Sequence, residues 1–245
     1  MITRRLFAAA MVSLPWAALS QPLEPFPGIT VDREANRIEL TGRIAVEANS
    51  PETPEVVIEV IAEAGGVRDH EAIVTLDAGA RQVHAALLLL GLEPGAPGRF
   101  SLDGERIDPT GPPLTVELRY TADDEEHTID PAAWIVDRET GESLADRSPR
   151  FVFGGSAERV FGAETVYMAE AEGAVVGLST FGVGEPGSGI ETVGMAPVMS
   201  PDSGSGDPIW IARPGALPPA DTPVTVVLTA TDGDAASPDR RSDRP

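Results

Sequence analysis

An α+β fold, strand-dominated and built on mostly antiparallel sheet with one core helix at about 80–90, is predicted by three observations. Short runs of Val, Ile, Leu and Thr recur at strand length along the chain. Gly 25 and Pro 23 punctuate them, a density that favours turns over long helices. Ala80 to Leu90 alone places Val83, Ala86, Leu87 and Leu90 at spacings of three and four, the period of a helix with one buried face. At 42 % hydrophobic and 5 % aromatic residues, the core is one of Val, Ile, Leu and Ala.

In chain order, Met1 to Ser20 reads as a cleavable signal peptide, with Arg4 and Arg5 before the apolar stretch Leu6 to Leu19 and a small-residue cleavage pattern that makes Gln21 the mature N-terminus. The two arginines fit both a twin-arginine signal and a general secretory one. The stretch is interrupted by Pro15 and falls short of the ~20 residues that span a bilayer. The expected location is therefore periplasmic or secreted, with no transmembrane segment and, lacking cysteine, no lipid anchor.

Ile29 to Asp32 and Arg37 to Glu47 alternate charged and apolar residues as half-buried strands do, whereas Glu55 to Ala62 is apolar too continuously for anything but a central strand. Gly65-Gly66 turns the chain into a strand at Glu71 to Leu76, and the helix follows, with Gly91 as its C-cap. Leu114 to Tyr120 and His127 to Asp130 form a hairpin around Ala122 to Glu126, and Pro131 to Trp134 a helical turn with Trp134 as a core anchor. Phe151 to Phe153 is a strand, and Thr165 to Glu170 with Ala174 to Phe181 reads as a second hairpin around Glu172-Gly173. The domain is assigned to 21–181, a Gly/Pro/Ser-rich irregular segment to 182–221, a returning strand to 222–231 and a disordered tail to 232–245.

Composition excludes whole classes of chemistry. All 18 cations are arginine, so there is no lysine for a Schiff base or a Walker-type phosphate loop. Cys 0 removes thiol nucleophiles, disulfides and thiolate metal sites. A net charge of −21 speaks against nucleic acid and against anionic membrane surfaces. No G-x-S-x-G elbow is present, and Gly154-Gly155-Ser156 reads as a turn after a strand.

Phe26-Pro27-Gly28-Ile29, Asp69-His70-Glu71-Ala72-Ile73 and His84 to Gly95, followed in the same order by Asp130 to Ile135, Phe151 to Ser156 and Glu172 to Leu178, form a series of stretches that resembles the YdjY-like domain of bacterial exported proteins. The His84-Ala85-Ala86-Leu87-Leu88 run is the most specific of them. Ferredoxin-like members of that family carry cysteines, so the resemblance implies electron transfer. Here Ala62, Glu63 and Ala64 stand where cysteine is sought, and a cysteine-ligated Fe–S cluster is excluded.

The candidate metal or catalytic residues are His70, Glu71 and His84. Imidazole and carboxylate together hold a divalent zinc-like ion or relay a proton, and the helix bearing His84 follows the strand that His70 and Glu71 open. Consecutive strand residues face opposite ways, so His70 and Glu71 share a site only across a turn or bulge. The plainer reading makes both histidines hydrogen-bonding residues that fix helix to sheet. The acidic run Asp123 to Glu126 offers calcium its oxygen ligands but lacks the spaced loop of a calcium site, and reads as a solvated turn.

With no assembled catalytic set visible, the expected function is that of a soluble, noncatalytic envelope module that binds a protein or small ligand. The alternatives are a divalent-metal protein or metal-dependent hydrolase using His70, Glu71 and His84, and a structural role resting on a highly hydrated acidic surface.

Overall fold

The computed structural model describes residues 21–100, 106–178, 196–201 and 210–231. The signal peptide assigned to 1–20, the tail assigned to 232–245 and parts of the 182–221 segment lie outside the described residues.

The inward residues of alternating strands decide the architecture. Eight strands close into a β-barrel: β1 (Arg37–Ile44), β2 (Val60–Ala64), β3 (Ala72–Leu76), β4 (Pro113–Ala122), β5 (Phe151–Phe153), β6 (Ala174–Gly177), β7 (Met199–Pro201) and β8 (Pro223–Ala230). In space they run β1-β8-β4-β5-β7-β6-β2-β3 and back to β1. Leu40, Val226 and Leu118 form one row across β1, β8 and β4, and Ile38, Leu228 and Val116 form the next. All six are buried, and each side chain so removed from water contributes about 1.5–3 kcal/mol.

Closure corrects the expected fold class. In place of the expected α+β fold of mostly antiparallel sheet with one core helix, the sheet closes on itself and two of its neighbouring pairs, β2–β3 and β6–β7, are parallel. Local periodicity reports which residues face the core but carries no information about which strand lies beside which. The seam that closes the barrel joins β1 to β3, with Gly42 opposite Leu76 and Ile44 opposite Val74.

The connection from β2 to β3 is a short return rather than a hairpin, which is how parallel strands come to follow each other so closely. Arg68 holds it down: its Nε donates to the Glu172 carbonyl at 3.0 Å, and Nη1 pairs with Glu59 at 2.9 Å and with Glu71. Ala62, Glu63 and Ala64, the stretch searched for cysteine, are wholly buried wall residues of β2.

The hairpin expected around Glu172-Gly173 is also replaced. Glu164–Tyr167 pairs back onto Glu158–Phe161, Met168–Glu172 is a second helix, α2, and β6 begins after it. Gly173, with φ +68°, is therefore a left-handed helix cap, not the centre of a hairpin. Within 182–221, Met199–Pro201 is barrel strand β7, and Trp210–Ala212 pairs with Ile135–Asp137. Asp123 and Asp124, both with positive φ, make the tight turn between β4 and its partner Glu125–Ile129.

The helix read from the sequence is α1, Ala80–Leu90. Val83, Ala86, Leu87 and Leu90 are buried as the spacing predicts, and Gly91 caps it with φ +99°. No Ser or Asp stands at its N-cap; instead Gln82 Oε1 accepts the Gly79 N–H at 3.0 Å, and Glu170 of α2 accepts the Arg81 N–H at 2.9 Å. The helix packs on Ile29–Asp32, β1, β6 and α2.

At Gly42 a Cβ would lie 2.5 Å from the Thr75 carbonyl oxygen and 3.0 Å from Val74 Cγ1. Gly42→Val is therefore expected to cost at least the 1–3 kcal/mol or so typical of overpacking, read as a lowered urea midpoint. A midpoint equal to that of the parent would show that the seam does not constrain the barrel.

Candidate functional site

The structure separates the residues that the sequence grouped. His70 and Glu71 lie in a 3-10 turn, Asp69–Glu71, which is the turn that two consecutive residues need to share a site. His70 nevertheless points outward, 73 % exposed, with Asp69 Oδ1 at 3.5 Å and Glu71 Oε2 at 4.0 Å. Glu71 is engaged by Arg68. His84 has other partners, Phe153 and Tyr167. Among the described residues no group of three or more His, Asp or Glu side chains is placed to hold a metal ion. His127 stacks on Tyr120, ring centroids 5.1 Å apart, and Trp134 is buried in the core.

His84 instead opens onto a cleft of about 310 Å³. One wall is α1, through Arg81, His84, Ala85 and Leu88; the other is the chain from Gly155 to Glu158, with Tyr167 between them. Positions 81, 84, 85 and 88 recur at helical spacing, so α1 carries a second stripe beside its buried one. Arg81 and His84 break the apolar character of that stripe, so its spacing carries no core signal in the sequence.

The floor of the cleft is a fixed hydrogen-bond chain. His84 Nδ1 lies 2.8 Å from the Tyr167 hydroxyl, which donates to the Gly155 carbonyl at 3.2 Å. With the phenol proton directed at Gly155, Nδ1 is the donor to Tyr167 and Nε2 keeps its lone pair, an assignment made from the network. Gly155 is required here: its φ is +80°, and a Cβ would meet Pro94 Cβ at 2.5 Å. Ser156, next to it, is buried and left-handed with φ +65°. Its hydroxyl donates to the Ala196 carbonyl and accepts the Ala169 N–H at 2.9 Å. That hydroxyl is a brace between segments, with no free proton to give a base.

Burial sets the protonation of this floor. It lowers the His84 pKa from its ordinary value, the Gly155 carbonyl acts in the opposite sense, and the nearby Arg81 charge lowers it further. Burial likewise raises the Tyr167 pKa, against the partial relief of Arg81. Both groups are neutral at pH 7. Arg81 lies over the Tyr167 ring, 4.7 Å from its centroid, a cation–π contact that positions the guanidinium at the mouth.

Residues 29–229 match the YdjY domain. The chain belongs to the YdjY domain family. No curated protein and no solved structure matches it. The YdjY domain so defined contains both walls of the cleft, Arg81 to Leu88 and Gly155 to Tyr167, as well as every strand of the barrel except the last residue of β8.

Two outcomes are expected from the hydrogen-bond chain of this YdjY domain. Tyr167→Phe removes the hydroxyl shared by His84 and Gly155 and should cost about 1–2 kcal/mol, the scale for a buried hydrogen bond lost with one partner unsatisfied, measured by urea unfolding. Because the His84 pKa is lower folded than unfolded, its contribution to stability is whole above the unfolded value near 6.5 and is lost as pH falls below it. His84→Gln should therefore flatten the decline in unfolding free energy between pH 7.5 and 5.5; an unchanged slope would mean that His84 is solvated.

Proposed function

We propose that this chain is an exported, noncatalytic binding module of the cell envelope, and that its ligand site is the cleft between α1 and the Gly155 to Glu158 segment. The observation that carries the reading is the state of the cleft's polar groups. The His84–Tyr167–Gly155 chain ends on a backbone carbonyl, and the Ser156 hydroxyl is engaged on both sides. A catalytic relay needs a nucleophile with a free reactive atom beside a base. Recognition needs fixed donors and acceptors beside an apolar surface.

The apolar surface is there. Leu88 is 47 % exposed at the cleft, and Val160 and Phe161, 72 % and 56 % exposed, lie on the strand that begins at Glu158. The export reading rests on the Arg4-Arg5 segment and the apolar stretch that follows it. None of the helices among the described residues is long and apolar enough to cross a membrane.

A fragment library followed by amide chemical shifts tests the site. Binders are expected to move the signals of Arg81, His84, Ala85 and Tyr167, and Leu88→Glu, a change at an exposed position, is expected to keep the fold and weaken them at least tenfold. Turnover of ester or peptide substrates that disappears in His84→Gln would replace this reading with an enzymatic one.

A further inference from the structure

The cleft is lined by two opposite charges that form no ion pair among the described residues. Arg37, Arg43, Arg68, Arg119, Arg138 and Arg147 each pair with at least one carboxylate, whereas Arg33, Arg159 and Arg213, away from the cleft lining, make no ion pair with a described residue. Arg81 makes no ion pair with any described residue; its guanidinium rests on the Tyr167 ring. Glu158, on the facing wall, likewise pairs with no described residue. The third charge nearby, Glu170, is committed to the Arg81 backbone N–H at the start of α1. Arg81 and Glu158 thus line one cavity without neutralising each other.

Size and lining narrow the ligand. About 310 Å³ is at the small end of ligand pockets, which run roughly 300–1,000 Å³. The same cavity is lined by Ala85 and Leu88, which offer an apolar side chain a place, and by His84, whose Nε2 is an acceptor once Nδ1 donates to Tyr167. A simple anion would meet Arg81 but also Glu158 and the field of a chain with net charge −21. A simple cation would meet Glu158 but also Arg81. A molecule bearing both charges on a short backbone satisfies both walls.

Building on the binding-module reading above, we propose that the cleft takes a zwitterionic α-amino acid or short peptide with an apolar side chain, its carboxylate on Arg81 and its ammonium on Glu158. Arg81 presents a planar fork suited to a carboxylate. Free amino acid and peptide share this chemistry, and the length of the backbone between the charges separates them.

Calorimetry with protein expressed from the full coding sequence tests the assignment. The probes are L-leucine, the dipeptide Ala-Leu, 4-methylpentanoate, which is leucine without its ammonium, and 3-methylbutylamine, which lacks its carboxylate. Leucine or Ala-Leu should bind at least tenfold more tightly than either single-charge analogue, since each charged hydrogen bond lost to an unpartnered group is worth about a factor of ten or more. Whichever of the two binds better identifies amino acid or peptide. Glu158→Gln should erase the discrimination against 4-methylpentanoate, and Arg81→Gln that against 3-methylbutylamine; both side chains are exposed, so the fold should survive. Equal affinity for leucine and 4-methylpentanoate would overturn the zwitterion while leaving a binding cleft. No binding of any of the four would overturn it too, and if the fragment library also left the cleft signals unmoved, the binding-module reading would fall with it.

Discussion

The structure depends on one junction in the middle of β1, at Thr41 and Gly42. Along one edge β1 pairs continuously with β8, but its other edge is shared: Ile29–Asp32 takes Arg37 to Leu40, and β3 takes Gly42 to Ile44. Thr41 ties both neighbours at the change-over. Its N–H donates to the Gly28 carbonyl at 2.9 Å, its carbonyl accepts the Asp77 N–H at 3.0 Å, and its hydroxyl donates to Asp77 Oδ2 at 2.6 Å. Glycines on both sides make this approach possible. A Cβ on Gly28 would sit 2.6 Å from Thr41 Oγ1, and one on Gly42 would collide with the Thr75 carbonyl. A barrel has no sheet edge left unpaired along its circuit, and this is where the circuit is completed.

The cleft inherits its shape from that junction. Asp77, fixed by Thr41, lies three residues before α1, so the closing seam also launches the helix. The facing wall is set from the opposite part of the barrel. Gly155, two residues past β5, donates to the Val198 carbonyl at 3.0 Å, and Ser156 reaches the Ala196 carbonyl. Two segments far apart in sequence thus meet at His84 and Tyr167, each carried by an element that cannot move without disturbing a barrel strand. Preorganised donors and acceptors lower the ordering cost of binding, which is what the proposed binding role asks of such a scaffold.

How much of this was legible in the sequence follows from the range of each interaction. α1, Gly91, the Leu114 to Tyr120 strand and the turn at Pro131 to Trp134 are set by neighbours within a few residues, and periodicity and capping chemistry find them. Closure pairs residues 30 to 34 apart in sequence through glycines whose role is to admit a backbone, and an absent side chain has no pattern. The Glu172-Gly173 segment misled because a left-handed glycine serves a helix cap and a hairpin equally well. Among the site residues His84 was visible as an imidazole on a helix, and its partner was not. Tyr167 comes from a hairpin eighty-three residues away, and nothing local marks its hydroxyl for His84. His70 and Glu71 were grouped with it by adjacency of elements, and Arg68 claims the carboxylate instead.

Charge use shapes the cleft. With 39 acidic residues against 18 arginines, carboxylates outnumber the cations. Arg68 shows one outcome: it bridges Glu59, Glu71 and a carbonyl of α2, fastening the β2–β3 return to the sheet. Arg81, like Arg33, Arg159 and Arg213, makes no ion pair with a described residue, and at the cleft the reason is geometric. The one carboxylate that α2 brings close, Glu170, is turned to the Arg81 amide and so caps α1 rather than neutralising its side chain. The Tyr167 ring then supplies a site for the guanidinium worth about 0.5–1 kcal/mol where exposed, without quenching its charge. The same tyrosine therefore orders the cation through its face and His84 through its hydroxyl. The cleft's charge and its neutral floor are two consequences of one side chain: the β1–β3 seam sets where α1 brings Arg81 and His84, and Gly155 and Ser156 hold the wall from which Tyr167 meets them.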